Sequence, residues 1–160
     1  MAVLALWVMP AFAASINFPH VQAKSAIQAG KYLILAGGCN DCHTFGWEQS
    51  HGTFPTSKWL TGNPVGYKGP WGVTYAKNLR LLVAHMTVVK WVKMFKAEPP
   101  VMLPPMPVED YSHLSVRDIK AIYVFIKSLG PDGKLMPKNL KQGEAIVGPY
   151  VNFMPKNLSK

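Results

Sequence analysis

At 160 residues the chain has room for one domain, and with 49% hydrophobic residues it can bury a core. Fourteen prolines and thirteen glycines set aside a regular bundle or sheet and predict long irregular loops. Charge is sparse and lopsided, 17 Lys+Arg against 8 Asp+Glu, which favours an acidic partner; the basic residues form no run and no aromatic RNA-binding motif, which sets nucleic acid aside.

The chain opens on the apolar run MAVLALWVMPAFAAS. Its small-x-small ending, Ala11-Phe12-Ala13, predicts a signal peptide over 1–13 and a mature start near Ala14. The run is short against the roughly 20 apolar residues of a membrane span. It carries no positive n-region, so an uncleaved membrane anchor is the alternative. Export implies the periplasm, an oxidising compartment.

Residues 24–36, KSAIQAGKYLILA, predict a first helix, capped by Ser25 and ended by Gly37-Gly38. Gly30 within it costs about 1 kcal/mol against Ala, a sign of close approach by another element. From Thr44 to Met86 no period is sustained. A structureless loop of that length needs something to wrap, and Trp47, Trp59, Trp71 and nearby Trp91 supply apolar surface for it. Thr87 opens a short amphipathic helix with Val88, Trp91, Val92 and Phe95 on one face and Lys90, Lys93 and Lys96 on the other. Pro99-Pro100 stop it, and a proline-rich extended segment carries Met102 and Met106. Ser115 opens the clearest helix, SVRDIKAIYVFIKSLG, with Asp118 in a capping-box position. Ile119, Ile122, Tyr123 and Ile126 form its buried stripe, and Gly130-Pro131 end it. Residues 132–160 show no period; VGPYVNFMP is the expected docking segment of this extension.

The only two cysteines stand in GGCNDCH, Cys39 and Cys42, with His43 next. A disulfide so short contributes little to a domain of this size. A redox dithiol wants a βαβ context that is missing, and a structural zinc site needs a second Cys/His pair. His20, His51, His85 and His113 are scattered. C-x-x-C-H is also the attachment signature of c-type haem: two thiols bond the two vinyl groups on one porphyrin edge, and the adjacent imidazole reaches the iron. A haem gives the long aromatic loop its missing surface. The sixth ligand is drawn from Met86, Met94, Met102, Met106, His51 and His85. Met106, between Pro105 and Pro107 and 63 residues after His43, is the first choice, with Met102 next. His/Met ligation fills both axial sites and suits electron transfer.

The order AGKYLILAGGCNDCHT, long loop, PPMP, LSVRDIKAIYVFIKSLG resembles that of class I c-type cytochromes, over about Lys24 to Pro131. GNPVGYKGPWGVTYAKNL is similar to the G-x-P … P-F-G-x-x-Y-x-x-N loop of the cytochrome c subunits and domains of periplasmic alcohol, gluconate and sugar dehydrogenases. The matching positions are Gly62, Pro64, Pro70, Gly72, Tyr75 and Asn78. The resemblance implies an all-α fold of about 3–5 helices around one covalent haem c, with a cytochrome domain over 14–131 and an extension over 132–160. It implies a first and last helix crossing beside the haem, with Gly30 against Tyr123. It places Pro64, Tyr75 and Asn78 around the haem: a proline carbonyl, Pro64 or its rival Pro55, orients His43, and Asn78 bonds near a propionate. The function it implies is a periplasmic carrier of single electrons, not itself an enzyme, between a dehydrogenase and a downstream acceptor. Its docking edge lies near Cys42 and its partner is acidic; no small-molecule substrate is expected. Two other readings stand beside it: a catalytic or sensory haem protein with an open or displaceable sixth site, and a haem-free module held by a disulfide.

Overall fold

The computed structural model describes residues 19–155; the predicted signal peptide over 1–13 lies outside them. The described residues hold six α-helices and three strands. The helices are α1 (Ala26–Ala36), α2 (Cys39–His43), α3 (Leu79–Ala84), α4 (Val88–Phe95), α5 (Val108–Ser112) and α6 (Val116–Ser128). The strands are β1 (Gly66–Gly69), β2 (Gly72–Tyr75) and β3 (Tyr150–Asn152). The expectation of a purely all-α fold with 3–5 helices is therefore corrected: a helical core carries a small sheet of order β2-β1-β3. β1 and β2 pair antiparallel, Gly66 opposite Tyr75, and β3 joins β1 in parallel, Gly66 opposite Tyr150.

The helix signals in the sequence act locally as expected. Ser25 caps α1, its Oγ accepting from the Gln28 N–H at 3.2 Å, which satisfies one of the donors a helix start leaves unpaired. Thr87 does the same for α4, accepting from Lys90 N–H, and Asn78 for α3, accepting from Leu81 N–H. At α6 the capping is altered. Ser115 Oγ accepts from the Asp118 N–H and donates to Asp118 Oδ2. Asp118 Oδ1 accepts from the Val21 N–H instead of closing the box, which ties the N-terminal segment to α6.

The core forms where α1 crosses α6. Ile34, Leu60, Ile119 and Ile126 are fully buried there, with Val83, Trp91, Phe95, Ile122 and Phe125 around them. Gly30 is the contact point: a Cβ there would lie 2.1 Å from the Ala121 carbonyl oxygen and 2.6 Å from Phe125 Cβ. Gly30 thus meets Ala121 and Phe125, not the expected Tyr123. Tyr123 turns to α4, its hydroxyl donating to the Met86 carbonyl at 2.7 Å and its ring packing on Trp91.

The long loop is not structureless. Trp47 and Trp59 meet edge to face at 5.3 Å, and Trp59 packs on Phe125 of α6. Trp59 Nε1–H donates to the Phe54 carbonyl, so a large apolar surface is buried with its polar group satisfied. These two tryptophans complete the core rather than wrap a ligand. The same stretch holds α3 and the β1–β2 hairpin, whose Trp71 packs against Phe153 of the extension.

Gly30→Ala raises helix propensity but forces α1 away from α6. The expected result is a net loss of about 1–3 kcal/mol, the cost of overpacking, read as a lower denaturant midpoint; a midpoint equal to or above that of the parent would show that α1 and α6 do not meet this closely.

Candidate functional site

Gly37 and Gly38 make the corner between α1 and α2. The Gly37 N–H closes α1 on the Leu33 carbonyl, and Gly38 takes φ +65°, which only glycine adopts without strain, to start α2. Five residues follow in one short helix, so Cys39, Cys42 and His43 are delivered together to the wall of a cavity of about 540 Å³. That volume lies within the range of small-molecule and cofactor sites. Ile34, Leu79, Leu82, Trp91, Phe95 and Ile122 give the cavity its apolar walls, and the α4–α5 segment closes it with Met102, Met106 and their neighbours.

His43 is buried, and its Nδ1 lies 2.8 Å from the Lys77 carbonyl oxygen. A carbonyl only accepts, so Nδ1 carries the proton and Nε2 keeps its lone pair. Burial pushes the imidazole below its ordinary pKa, with the Lys77 bond opposing. The ring is therefore neutral, in one tautomer, with its free nitrogen available as a ligand. The carbonyl that orients it is not a proline's. Pro64 stands exposed at the tip of a turn that Asn63 Oδ1 closes on the Val65 N–H, outside the cavity lining. The Pro55 carbonyl is engaged by the Lys58 N–H in its own turn.

Of the other expected residues, Tyr75 is buried and lines the cavity. Asn78 does not line it: Oδ1 caps α3, and Nδ2 donates to the carbonyls of Asp132 at 2.7 Å and Lys134 at 3.2 Å. Its amide is spent on the start of α3 and on the extension. Met102, Met106 and also Met94 line the cavity, whereas Met86, His51 and His85 do not. Met106 sits in a tight turn, its N–H donating to Leu103 O and its carbonyl accepting from Val108 N–H.

Three cavity residues carried no sequence signal that singled them out. Tyr67, on β1, lines the cavity beside the Cys42 thiol. Tyr111, on α5, stands beside the Cys39 thiol, its hydroxyl donating to the Gly37 carbonyl. Asn139 reaches the cavity from the extension. The Gly-Pro-Trp-Gly turn at 69–72 could have revealed the hairpin, but with Tyr67 opposite Thr74 and Tyr75 opposite Gly66, alternation alone would not have placed both tyrosines at the cavity.

The two cysteines are free thiols. Burial pushes the Cys39 thiol up to about 12, and Cys42 is raised for the same reason. A redox dithiol needs a lowered pKa to supply thiolate at neutral pH, so this environment works against it. Among the described residues no group of three or more His, Cys, Asp or Glu is arranged to cage a metal ion, which leaves the zinc reading without its ligands.

The chain is 26% identical over 112 residues to the fructose dehydrogenase cytochrome subunit of Gluconobacter japonicus, covering 68% of this chain and 22% of that protein. It thus spans about a fifth of the length of the curated relative it matches, with 22% covered. The similarity supports a distant relationship to the cytochrome subunits of dehydrogenases. No family model matches the chain, and no solved structure matches it.

Behind His43, the fully buried Thr44 hydroxyl donates to Asn40 Oδ1 at 2.7 Å and accepts from the Leu60 N–H at 2.8 Å. Thr44→Val keeps the shape and strands both partners. A loss of about 2 kcal/mol or more is expected, visible in urea unfolding as a lower midpoint at unchanged slope; a midpoint within error of the parent would mean that water reaches both groups.

Proposed function

We propose that this protein is a single-haem c-type cytochrome that carries electrons and is not itself catalytic. The observation that supports this best is convergence on one cavity. Cys39, Cys42, a neutral His43 with Nε2 free, and the methionines of a separate proline-rich segment all face the same apolar space of about 540 Å³. The donor set suits the group: two thiols for the vinyl edge, an imidazole and a thioether for the axial positions. Cys39 and Cys42 would anchor it, and His43 and Met106 would hold its iron, with Met102 as the alternative sulfur. A haem bound there supplies a one-electron Fe(III)/Fe(II) couple, and His/Met ligation raises its potential.

The chain's own residues do the rest. The Lys77 carbonyl fixes the imidazole and raises its basicity. Tyr67 and Tyr111 stand beside the two sulfurs at the cavity wall. Ile34, Leu79, Phe95 and Ile122 exclude water, which steadies the potential against solvent reorganisation. Val101 and Leu103, exposed at the cavity rim, mark where a redox partner approaches. With a net charge of +9, that partner is an acidic protein. The cytochrome subunit to which the chain is similar belongs to a fructose dehydrogenase. By that likeness the chain serves in the periplasm as the electron-transfer partner or subunit of a dehydrogenase. Among the described residues no helix is long and apolar enough to cross a membrane.

Expressed with haem-maturation machinery, the purified protein should carry one covalently bound haem and show a methionine–iron charge-transfer band in the oxidised state. Met106→Ala should abolish that band and Met102→Ala keep it; the reverse would exchange their roles. A five-coordinate high-spin spectrum in the unmodified protein would favour a catalytic or sensory haem protein, and a colourless product would end the haem reading. Electron transfer to an acidic partner should slow as the screening length falls from about 30 Å at 0.01 M salt to about 8 Å at 0.15 M. Rates indifferent to salt would remove the charge from the docking argument.

A further inference from the structure

The extension after α6 does more than cover the surface. Residues 132–141 run beside residues 72–78, the stretch that contains Lys77, the carbonyl partner of His43. Leu140 and Val73 exchange two backbone hydrogen bonds of 2.8 and 2.9 Å. Gly72 makes that approach possible, since a Cβ there would meet the Leu140 carbonyl oxygen at 2.2 Å. Asn139 Oδ1 accepts from the Tyr75 N–H at 3.1 Å and from Lys77 Nζ at 3.4 Å, and the Pro137 carbonyl also accepts from Lys77 Nζ. On the far side of the Lys77–Asn78 peptide, Asn78 Nδ2 donates to Asp132 and Lys134.

The same segment reaches the backbone of His43. The Gly62 N–H donates to the His43 carbonyl at 2.7 Å, and Met136 lies against Gly62, where a Cβ would meet Met136 Cγ at 2.6 Å. Ring and backbone of His43 are thus both held by groups that residues 132–141 press into place.

We propose that residues 132–141 are a strap that positions His43, with Asn139 as the positioning residue that fixes the Lys77 carbonyl against the His43 ring. This rests on the haem reading above. The strap keeps the Nδ1–H bond short, and a strong bond there makes Nε2 a better donor and favours the ferric state. Loosening the strap weakens the bond, makes the imidazole a poorer donor and moves the midpoint potential upward.

The test compares the haem-loaded full chain with its Asn139→Leu and Asn139→Asp variants. The readouts are solvent exchange of the His43 Nδ1 proton, followed by NMR in the reduced protein, and the midpoint potential. Leucine removes the acceptor for Tyr75 and Lys77. Exchange should accelerate roughly tenfold, as for the loss of about one hydrogen bond, and the potential should rise. Aspartate keeps an acceptor and should retain the slow exchange. Lys77→Met, which removes only the ammonium ties, should shift exchange in the same direction and serves if Asn139→Leu does not accumulate. If thermal stability falls in Asn139→Leu while exchange and potential stay at the parental values, the extension is merely structural and the proposal fails. A parent protein that takes up no haem would overturn the haem reading and this inference together; a coloured parent with unmoved variants would overturn this inference alone.

Discussion

The hydrogen bond from His43 Nδ1 to the Lys77 carbonyl joins two parts of the molecule at the cavity. On one side stands the α1–α2 corner, which carries the thiols. On the other stands the junction of β2 and α3, anchored in the core by Leu79 and Val83. A buried imidazole N–H without a partner would cost about 1–3 kcal/mol, so the bond cannot be given up lightly. Since a backbone carbonyl has no choice but to accept, the bond sets the tautomer as well as the ring direction. The cavity has its present chemistry because of that single acceptor.

Packing and site-building are divided among the aromatic residues. Trp47 and Trp59 join Phe125 as a plug behind α6. Trp91, Phe95 and Tyr111 form a second group that fastens α4 and α5 to each other and forms one wall of the cavity. Arg80 adds a polar rivet. Its guanidinium is buried and donates to the carbonyls of Ser57, Leu129 and Gly130, which are otherwise left open at the end of α6 and in the neighbouring loop. The Asp132 carboxylate at 3.5 Å offsets its charge and begins the strap.

The parts that could be read from the sequence are those encoded within a few residues. The caps at Ser25, Thr87 and Ser115 and the glycine stop after α1 define their helices locally. Cys39, Cys42 and His43 share one turn of helix, so their convergence follows from spacing alone. Met102 and Met106 could be nominated because prolines restrict that segment, although it folds into a tight turn at Met106 rather than running extended. What escaped is non-local or lacks a side-chain signature. Any residue owns a carbonyl, so Lys77 could not be distinguished from Pro64 or Pro55 by type. β1 and β2 are four residues each and glycine-rich, too short for alternation to stand out, which made the fold read as purely helical. β3 is exposed throughout and finds its partner about 84 positions away, by parallel pairing that no local pattern announces. Asn78 was read as a haem neighbour, but its amide serves a helix start and the strap.

The strap closes over long stretches of chain. Its bonds to Tyr75 and Asn78 span 64 and 54 residues, and closing loops of that size costs entropy before any contact repays it. Such contacts can close only once the intervening chain is present. The thiols and His43, by contrast, belong to a short helix near the start of the chain and are synthesised almost a hundred residues before the strap. A nascent chain therefore passes through a stage in which the helix bearing the thiols exists while Asn139 has yet to close its side of the cavity. A bulky, flat group such as the proposed haem would have a way in at that stage.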